Sequence, residues 1–138
     1  MSLLQVIQPA GWAAPKGYSN GIAGPTGSRP LAVAGQIGWD AEQNMVDGGF
    51  AAQFEQALRN VVDVTSAAGG TAEDIASLTI YVTDCHAYLD QISAVGTGYR
   101  RAMGHHYPAM ALVEVAALLE PEALVEIQAL AFLPATEP

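Results

Sequence analysis

The stretch FAAQFEQALRNVVDVTSAAGGTAEDIASLTIYVT, residues 50–83, predicts a helix followed by a strand. Apolar residues recur at three- and four-residue steps from Phe50 to Ala68, which is the pattern of a helix with one apolar face. Gly69-Gly70 favours a left-handed C-cap, and the sequence TAED of 71–74 is typical of a capping turn. Ile75 to Thr83 is rich in β-branched and aromatic residues and therefore predicts a strand.

The chain before this stretch predicts loops and one strand. Residues 9–30 are rich in Gly, Pro, Ser and Asn, and we expect a long ordered loop or short edge strands there. Residues 31–37 alternate as a strand does, with Leu31, Val33 and Gly35 on one side.

The chain after it predicts one more helix and two more strands. Apolar residues from about His86 to Met103 fall on one helical face, and Gly104 ends that helix. Residues 109–118 and 123–133 are apolar and predict strands. The sequence LEPE between them is typical of a turn, so we expect these two strands to form a hairpin.

The order of these elements predicts an α+β fold, with two helices packed on one face of a mixed β-sheet, in a single domain over 1–138. The other side of the sheet, called the open face below, has no predicted cover. Alternate residues of the last strand suit the helix side: Val125, Ile127, Ala129 and Ala131. The remaining ones belong to the open face: Leu124, Glu126, Gln128 and Leu130. A face that mixes polar and apolar side chains suits a subunit interface with a polar pocket in it.

The charge balance excludes two classes of partner. The net charge is −9, with five basic residues and no basic cluster, so neither nucleic acid nor an anionic membrane surface is an expected partner. Charged residues make up 14% of the chain, well below the roughly 25% that is usual. A surface with so few charges favours burial against other copies of the chain.

Other features of the sequence predict a cytoplasmic protein. Cys85 is the only cysteine, so the chain forms no internal disulfide. Residues 1–10 lack the basic and apolar regions of a signal peptide, and no run reaches 18 apolar residues. The histidines lack partners at metal-ligand spacing, so no metal site is expected.

Three stretches of the sequence resemble the RidA (YjgF) family, and the resemblance spans nearly the whole chain. The first is PKGYS of 15–19 followed by LAVAGQI of 31–37. The second runs from AGG of 68–70 to IYVTD of 80–84. The third is PAMALVEVAA of 108–117 followed by ALVEI of 123–127.

The resemblance implies a chorismate-mutase-like fold, in which the sheets of three subunits form a central barrel. Ligand pockets lie in the clefts between subunits, so a homotrimer and a small-molecule ligand are expected, with no cofactor. Active members of the family hydrolyse reactive enamines and imines to ammonia and a keto acid. In them an arginine of a Pro-Ala-Arg sequence holds the substrate carboxylate, and a glutamate on the last strand positions the water.

The resemblance also assigns site residues. Tyr18 matches the tyrosine of the pocket wall, Gly35 the glycine that lines the cleft, and Glu126 the water-positioning glutamate. Met110 stands in place of the arginine, with Ala111 beside it in the expected pocket. A thioether neither donates a hydrogen bond nor neutralises a carboxylate, so the chain resembles an arginine-lacking branch of the family.

Other polar residues have a functional and a structural interpretation. Glu126 could instead be a hydrogen-bonded interface residue, and Glu114 could share its face as a proton-sharing pair. His105-His106 could act as a base near the rim of the cleft or lie in a solvated loop. Three arginines remain as substitutes for the missing anion contact or as surface residues: Arg29, Arg100 and Arg101.

Three functions fit these residues. The first is a hydrolase or deaminase of a small unstable metabolite, with Glu126 handling the water or the proton. The second is a non-catalytic protein that binds a small planar ligand in the same clefts. The third is a structural or regulatory protein with inert clefts.

Overall fold

The computed structural model describes residues 3–136. The two ends of the predicted single domain 1–138 lie outside the described residues, as do the first two residues of the segment 1–10, which was compared with a signal peptide. Within those residues the fold consists of strands and α-helices that follow one another in this order: β1 (Gln5–Ile7), β2 (Gly21–Ala23), β3 (Arg29–Gln36), α1 (Gly49–Ala67), β4 (Ile75–Val82), α2 (Cys85–Asp90), α3 (Ile92–Met103), β5 (Ala109–Glu114) and β6 (Val125–Leu133). The α+β class, with helices against a mixed sheet, is confirmed.

The main sheet has the strand order β3-β6-β4-β5, and β1 and β2 form a separate antiparallel ribbon. Strand β6 is antiparallel to both of its neighbours, whereas β5 is parallel to β4. The predicted hairpin between 109–118 and 123–133 is therefore wrong, because β4 lies between those two strands. A parallel pair needs a crossover of a dozen or more residues, and here α2 and α3 supply it. Since β5 occupies one edge of β4, β6 pairs with the other edge.

The helices cover one face of this sheet, as the sequence predicts. The four residues of β6 that were expected to face the helices are all buried: Val125, Ile127, Ala129 and Ala131. Gln128 and Leu130, on the open face, are exposed. Phe54, Leu58 and other apolar residues of α1 complete the core. In the part of the chain that is described, no helix has the length and apolar character needed to span a membrane.

The connection from α1 to β4 also follows the sequence. Gly69 adopts a positive φ of 94°, the left-handed conformation expected after the end of a helix. The next residues, Ala72–Asp74, form one turn of 3-10 helix. The Asp74 carboxylate accepts a hydrogen bond from the Thr71 amide at 2.9 Å, which completes the predicted capping turn.

The second predicted helix, over 86–103, is divided in two at Gln91. This residue ends α2 and begins α3, with φ −109° and ψ 20°. Its side-chain oxygen accepts a hydrogen bond at 3.3 Å from the amide of Ala51, near the start of α1. The break changes the direction of the chain, so Ile92 is 52% exposed instead of lying on the buried face.

Candidate functional site

Glu126 lies on the open face of the sheet, directly against Gly35. A β-carbon built on Gly35 would stand 2.5 Å from Oε2 of Glu126. No side chain larger than hydrogen fits there without displacing the carboxylate. Glu126 is half-buried, and no hydrogen bond ties its carboxylate to another residue in the described part of the chain. The carboxylate therefore packs against the backbone of Gly35 and keeps its acceptor positions available.

A β-bulge brings these two residues together. The pairing of β3 with β6 shifts between Val33 and Gln36, so Gln36 pairs with Ile127. The predicted alternation, which placed Gly35 on the same side as Leu31 and Val33, is wrong at this point because the bulge inserts an extra residue. Gly35 consequently reaches the open face, where Glu126 lies.

The open face around Glu126 combines polar and apolar groups. Tyr81 pairs with Glu126 across β4 and β6, and its hydroxyl donates to Oε1 of Gln128 at 2.9 Å. Leu130 is 37% exposed nearby. Ala111 of β5 pairs with Thr79 of β4, so Ala111 also belongs to this face.

Met110 lies on the opposite face of the sheet. It pairs with Leu78 of the core and borders a cavity of about 270 Å³ between the sheet, the N-terminal loop and α3. We call this space the Met110 cavity. Its lining is largely apolar and aromatic: Phe54, Ile80, Tyr88, Ile92, Val95, Tyr99, Tyr107 and Met110, with Gly17, Gly96, Lys16 and Arg100.

Tyr18 lies beside the start of the Met110 strand. The following residue, Ser19, donates from its amide to the Pro108 carbonyl at 3.0 Å and from its hydroxyl to the Tyr107 carbonyl at 2.6 Å. These bonds fix the N-terminal loop against β5. The Tyr18 side chain itself is 42% exposed.

Within one chain the expected site residues thus form two groups. Tyr18 and Met110 lie at the start of β5, whereas Gly35 and Glu126 lie across β4. Strands two places apart in a sheet are separated by about 10 Å. Met110 and Glu126 also occupy opposite faces, so the fold of one subunit does not bring them together.

Two tyrosines that the sequence did not single out as site residues form a wall of the Met110 cavity. Tyr99 and Tyr107 stack with their ring centroids 5.3 Å apart and their planes 4° apart. The Tyr99 hydroxyl donates to the His106 carbonyl at 2.7 Å, and burial raises the pKa of this phenol. The helical spacing of Tyr99 indicated a buried residue, but nothing in the sequence pattern paired it with Tyr107.

The histidines and Glu114 have structural contacts. His106 Nε2 lies 2.7 Å from the Ile75 carbonyl oxygen, and His105 is exposed. Both line a different depression from the Met110 cavity. Glu114 accepts a hydrogen bond from the Cys85 amide at 2.9 Å, at the start of α2. The expectation that Glu114 shares a face with Glu126 is wrong, because β4 separates their strands and their side chains have opposite parity.

The three arginines proposed as substitutes have different surroundings. Arg101 pairs with Glu55 at 2.6 Å, and Arg59 pairs with the same carboxylate at 2.6 Å. The hydrogen bond from Arg101, aided by Arg59, lowers the pKa of Glu55 to about 2. Arg29 donates to the Pro134 carbonyl at 3.4 Å, far from either group of site residues. Only Arg100 of these three borders the Met110 cavity.

A metal centre has no support in the residues that the structure describes. Among positions 3–136, no three His, Cys, Asp or Glu side chains are grouped so that they could bind a metal ion.

Comparisons with known proteins agree on one group of relatives. Residues 10–133 match the family model described as endoribonuclease L-PSP. The chain is 33% identical to 2-iminobutanoate/2-iminopropanoate deaminase of Bos taurus, over 75% of this chain and 72% of that protein. The human protein of the same name is 31% identical over the same shares.

Solved structures give the same result. A Rid family protein of unknown function from Yersinia pestis has a TM-score of 0.82 and 31% identity, over 94% of this chain and 98% of that chain. The YjgF gene product of E. coli has a TM-score of 0.64 and 31% identity, over 87% of this chain and 91% of that one.

Proposed function

The chain belongs to the RidA (YjgF) family, and from that premise we propose that it is a homotrimer that hydrolyses a small metabolite in clefts between its subunits. The reaction is of the enamine or imine deaminase type. Water adds to the carbon of a C=N bond, ammonia leaves, and a carbonyl compound remains. Glu126 orients that water and accepts its proton.

The contact between Gly35 and Glu126 carries this proposal. The carboxylate stands on β6, a strand that is paired on both sides, so its position is set by a rigid element. Gly35 makes room for the carboxylate, since a β-carbon at this position would stand only 2.5 Å from Oε2 of Glu126. A fixed carboxylate with free acceptor positions is what a water-positioning group requires.

The separation of the two groups of site residues supports assembly. Met110 and Glu126 lie on opposite faces of one sheet, with β4 between their strands. A cleft that contains both groups therefore needs residues of two chains. The exposed apolar residues of the open face, among them Leu130 and Val113, supply a surface for that contact.

A non-catalytic trimer that binds a small ligand is the second candidate function. Met110 favours it, because the family arginine that holds a substrate carboxylate is replaced by a side chain without a donor. The Met110 cavity has the apolar lining of a ligand pocket in either case.

The Glu126→Gln variant distinguishes these functions. Imines are generated from leucine or phenylalanine by an amino-acid oxidase, and release of ammonia is followed. We expect kcat to fall by about a hundredfold or more in Glu126→Gln, the range of general acid–base effects. His105→Ala, a change at an exposed residue that lines a different depression, is the control and should leave kcat unchanged. If the wild type releases no ammonia but is stabilised against heat by a small ligand, it is the binding protein instead.

A further inference from the structure

The charged side chains that line the Met110 cavity are positive, although the chain as a whole is negative. Two of the five basic residues line it, Lys16 from the N-terminal loop and Arg100 from α3. None of the acidic residues among positions 3–136 does. In a chain with a net charge of −9, two basic and no acidic side chains among the described residues of the lining favour an anionic ligand at this place.

Arg100, unlike Arg59 and Arg101, has no carboxylate partner in the described part of the chain, and unlike Arg29 it borders the cavity. Within the described residues it forms no ion pair, and its one hydrogen bond, to the Thr97 hydroxyl, is 3.5 Å long. That distance is at the outer limit of a hydrogen bond. Arg59 and Arg101, by contrast, both contact Glu55 at 2.6 Å. The guanidinium of Arg100 therefore remains available to an anion.

The rest of the cavity suits an apolar group. The stacked rings of Tyr99 and Tyr107 form one side, and Met110 and Ile92 contribute aliphatic surface. A volume of about 270 Å³ is below the range of roughly 300–1,000 Å³ that accommodates drug-sized ligands. One ring or one branched alkyl chain with a short acidic arm matches this space.

We propose that Arg100, assisted by Lys16, binds the carboxylate of a ligand whose aromatic or branched apolar body lies against Met110, Tyr99 and Tyr107. The inference rests on the proposed function, since it names the substrate class of the same cleft. The anion contact that the family makes from the strand of Met110 is made here from α3. A guanidinium holds a carboxylate by two parallel hydrogen bonds, whereas a methionine at the old position adds apolar contact.

Binding of three probes tests the proposal by calorimetry on the intact protein. The probes are 3-phenylpropionate, its neutral amide and propionate. Wild type should bind 3-phenylpropionate at least tenfold more tightly than either of the others, because only this probe has both the ring and the charge. Arg100→Gln should lose about tenfold or more of the affinity for 3-phenylpropionate and none of that for the amide. Arg100→Lys should retain part of it.

Arg29→Gln is the matched control, since it removes the same charge at a site remote from the cavity, and it should bind as wild type does. Circular dichroism and native mass establish that each variant folds and assembles as wild type. Spectra of the wild type with 3-phenylpropionate provide a measure that needs no variant: the NMR signals of Tyr107 and of the Arg100 side chain should shift. The proposal is overturned if those shifts lie elsewhere, if Arg100→Gln binds as wild type does, or if wild type binds the amide equally well.

These results separate the inference from the proposed function. Binding that depends on Arg100, in a protein that hydrolyses no imine, supports the inference and removes the hydrolase. Imine hydrolysis whose KM is unchanged in Arg100→Gln supports the hydrolase and refutes the inference.

Discussion

At the scale of single residues, the lack of a side chain at Gly35 is what lets the Glu126 carboxylate lie beside it. The two residues are brought together by a bulge, a feature that often re-aims a side chain next to an active site. Gly35→Ala should displace Glu126, since the new methyl would lie 2.5 Å from Oε2. We expect kcat to fall by about tenfold or more, because small misplacement of a positioned group is costly.

Gly21→Ala is the control for this change. A β-carbon at Gly21 would make an ordinary contact with the Ile7 side chain at 3.5 Å, so kcat should not alter. Ammonia release from the same imines is the measurement. Equal activity of Gly35→Ala and wild type would show that the position of the Glu126 carboxylate does not govern the reaction.

Met110 sets an expectation for the substrate range. Small imino acids, such as that made from alanine by an oxidase, present a carboxylate without enough apolar surface for the Met110 cavity. Such a substrate lacks the apolar contact that would place its carboxylate against Arg100, and Met110 offers no donor. Its turnover should therefore be about a hundredfold or more below that of a family member that has the arginine. Met110→Arg should restore part of that turnover. Rapid hydrolysis of the alanine imine by wild type would contradict this expectation, and ammonia release measures it.

At the scale of elements, α1 and α3 are joined at their surface by Glu55. Its carboxylate contacts Arg59 one turn further along α1 and Arg101 on α3. Gly98 of α3 lies against the same side chain: a β-carbon there would be 2.9 Å from Oε1. Glu55 therefore connects the two helices at a place where Gly98 leaves room for its side chain.

The pKa of Glu55 predicts how this contact depends on pH. Its value in the folded protein is about 2, below the ordinary 4.5, mainly because of the hydrogen bond from Arg101. A lowered pKa contributes stability above the unfolded value, and that contribution is lost as the pH falls from about 4.5 to about 2. Because both arginines are partly exposed, we expect Glu55→Gln to lower the free energy of unfolding by only about 1 kcal/mol at pH 7.

Urea denaturation of wild type and Glu55→Gln across this pH range measures the effect. The difference between them should shrink towards pH 2, and salt should reduce it at pH 7. Glu120→Gln, at an exposed loop residue, is the control and should change stability little. A constant difference from pH 7 to pH 2 would exclude the ion pairs as its cause.

At the scale of the whole molecule, the open face of the sheet is not covered by any helix of the described part of the chain. Apolar side chains such as Leu130 and Val113 are exposed there beside Tyr81 and Gln128. A sheet face that mixes exposed apolar and polar side chains and has no helix over it suits contact with another protein.

We expect a homotrimer at micromolar concentration, and native mass spectrometry measures it. Leu130→Lys should weaken assembly, because it places a charge on the apolar part of the face. Ala67→Lys adds the same charge on the exposed surface of α1 and should leave the mass of the assembly unchanged. A stable monomer of the wild type would remove the clefts on which the proposed reaction depends.

Local patterns in the sequence predicted the elements that local forces control. The apolar spacing of 50–68 and the glycine after it specify α1 and its end, because helix periodicity and the left-handed cap depend on near neighbours. The alternation in 123–133 identified which side of β6 is buried. The order of the motifs along the chain identified the family and, through it, Glu126 and Gly35 as candidate site residues.

Only the tertiary structure decided the features that depend on distant partners. The pairing of β5 with β4 instead of β6 follows from the crossover through α2 and α3, which local turn chemistry at 119–122 does not reveal. The break at Gln91 reflects its bond to α1, 40 residues away in sequence. The choice of Arg100 rests on two facts of the fold: Arg101 is paired with Glu55, and Arg29 lies away from the Met110 cavity that Arg100 borders. Residues far apart in sequence share these contacts, so no spacing along the chain encodes them; the folded packing does.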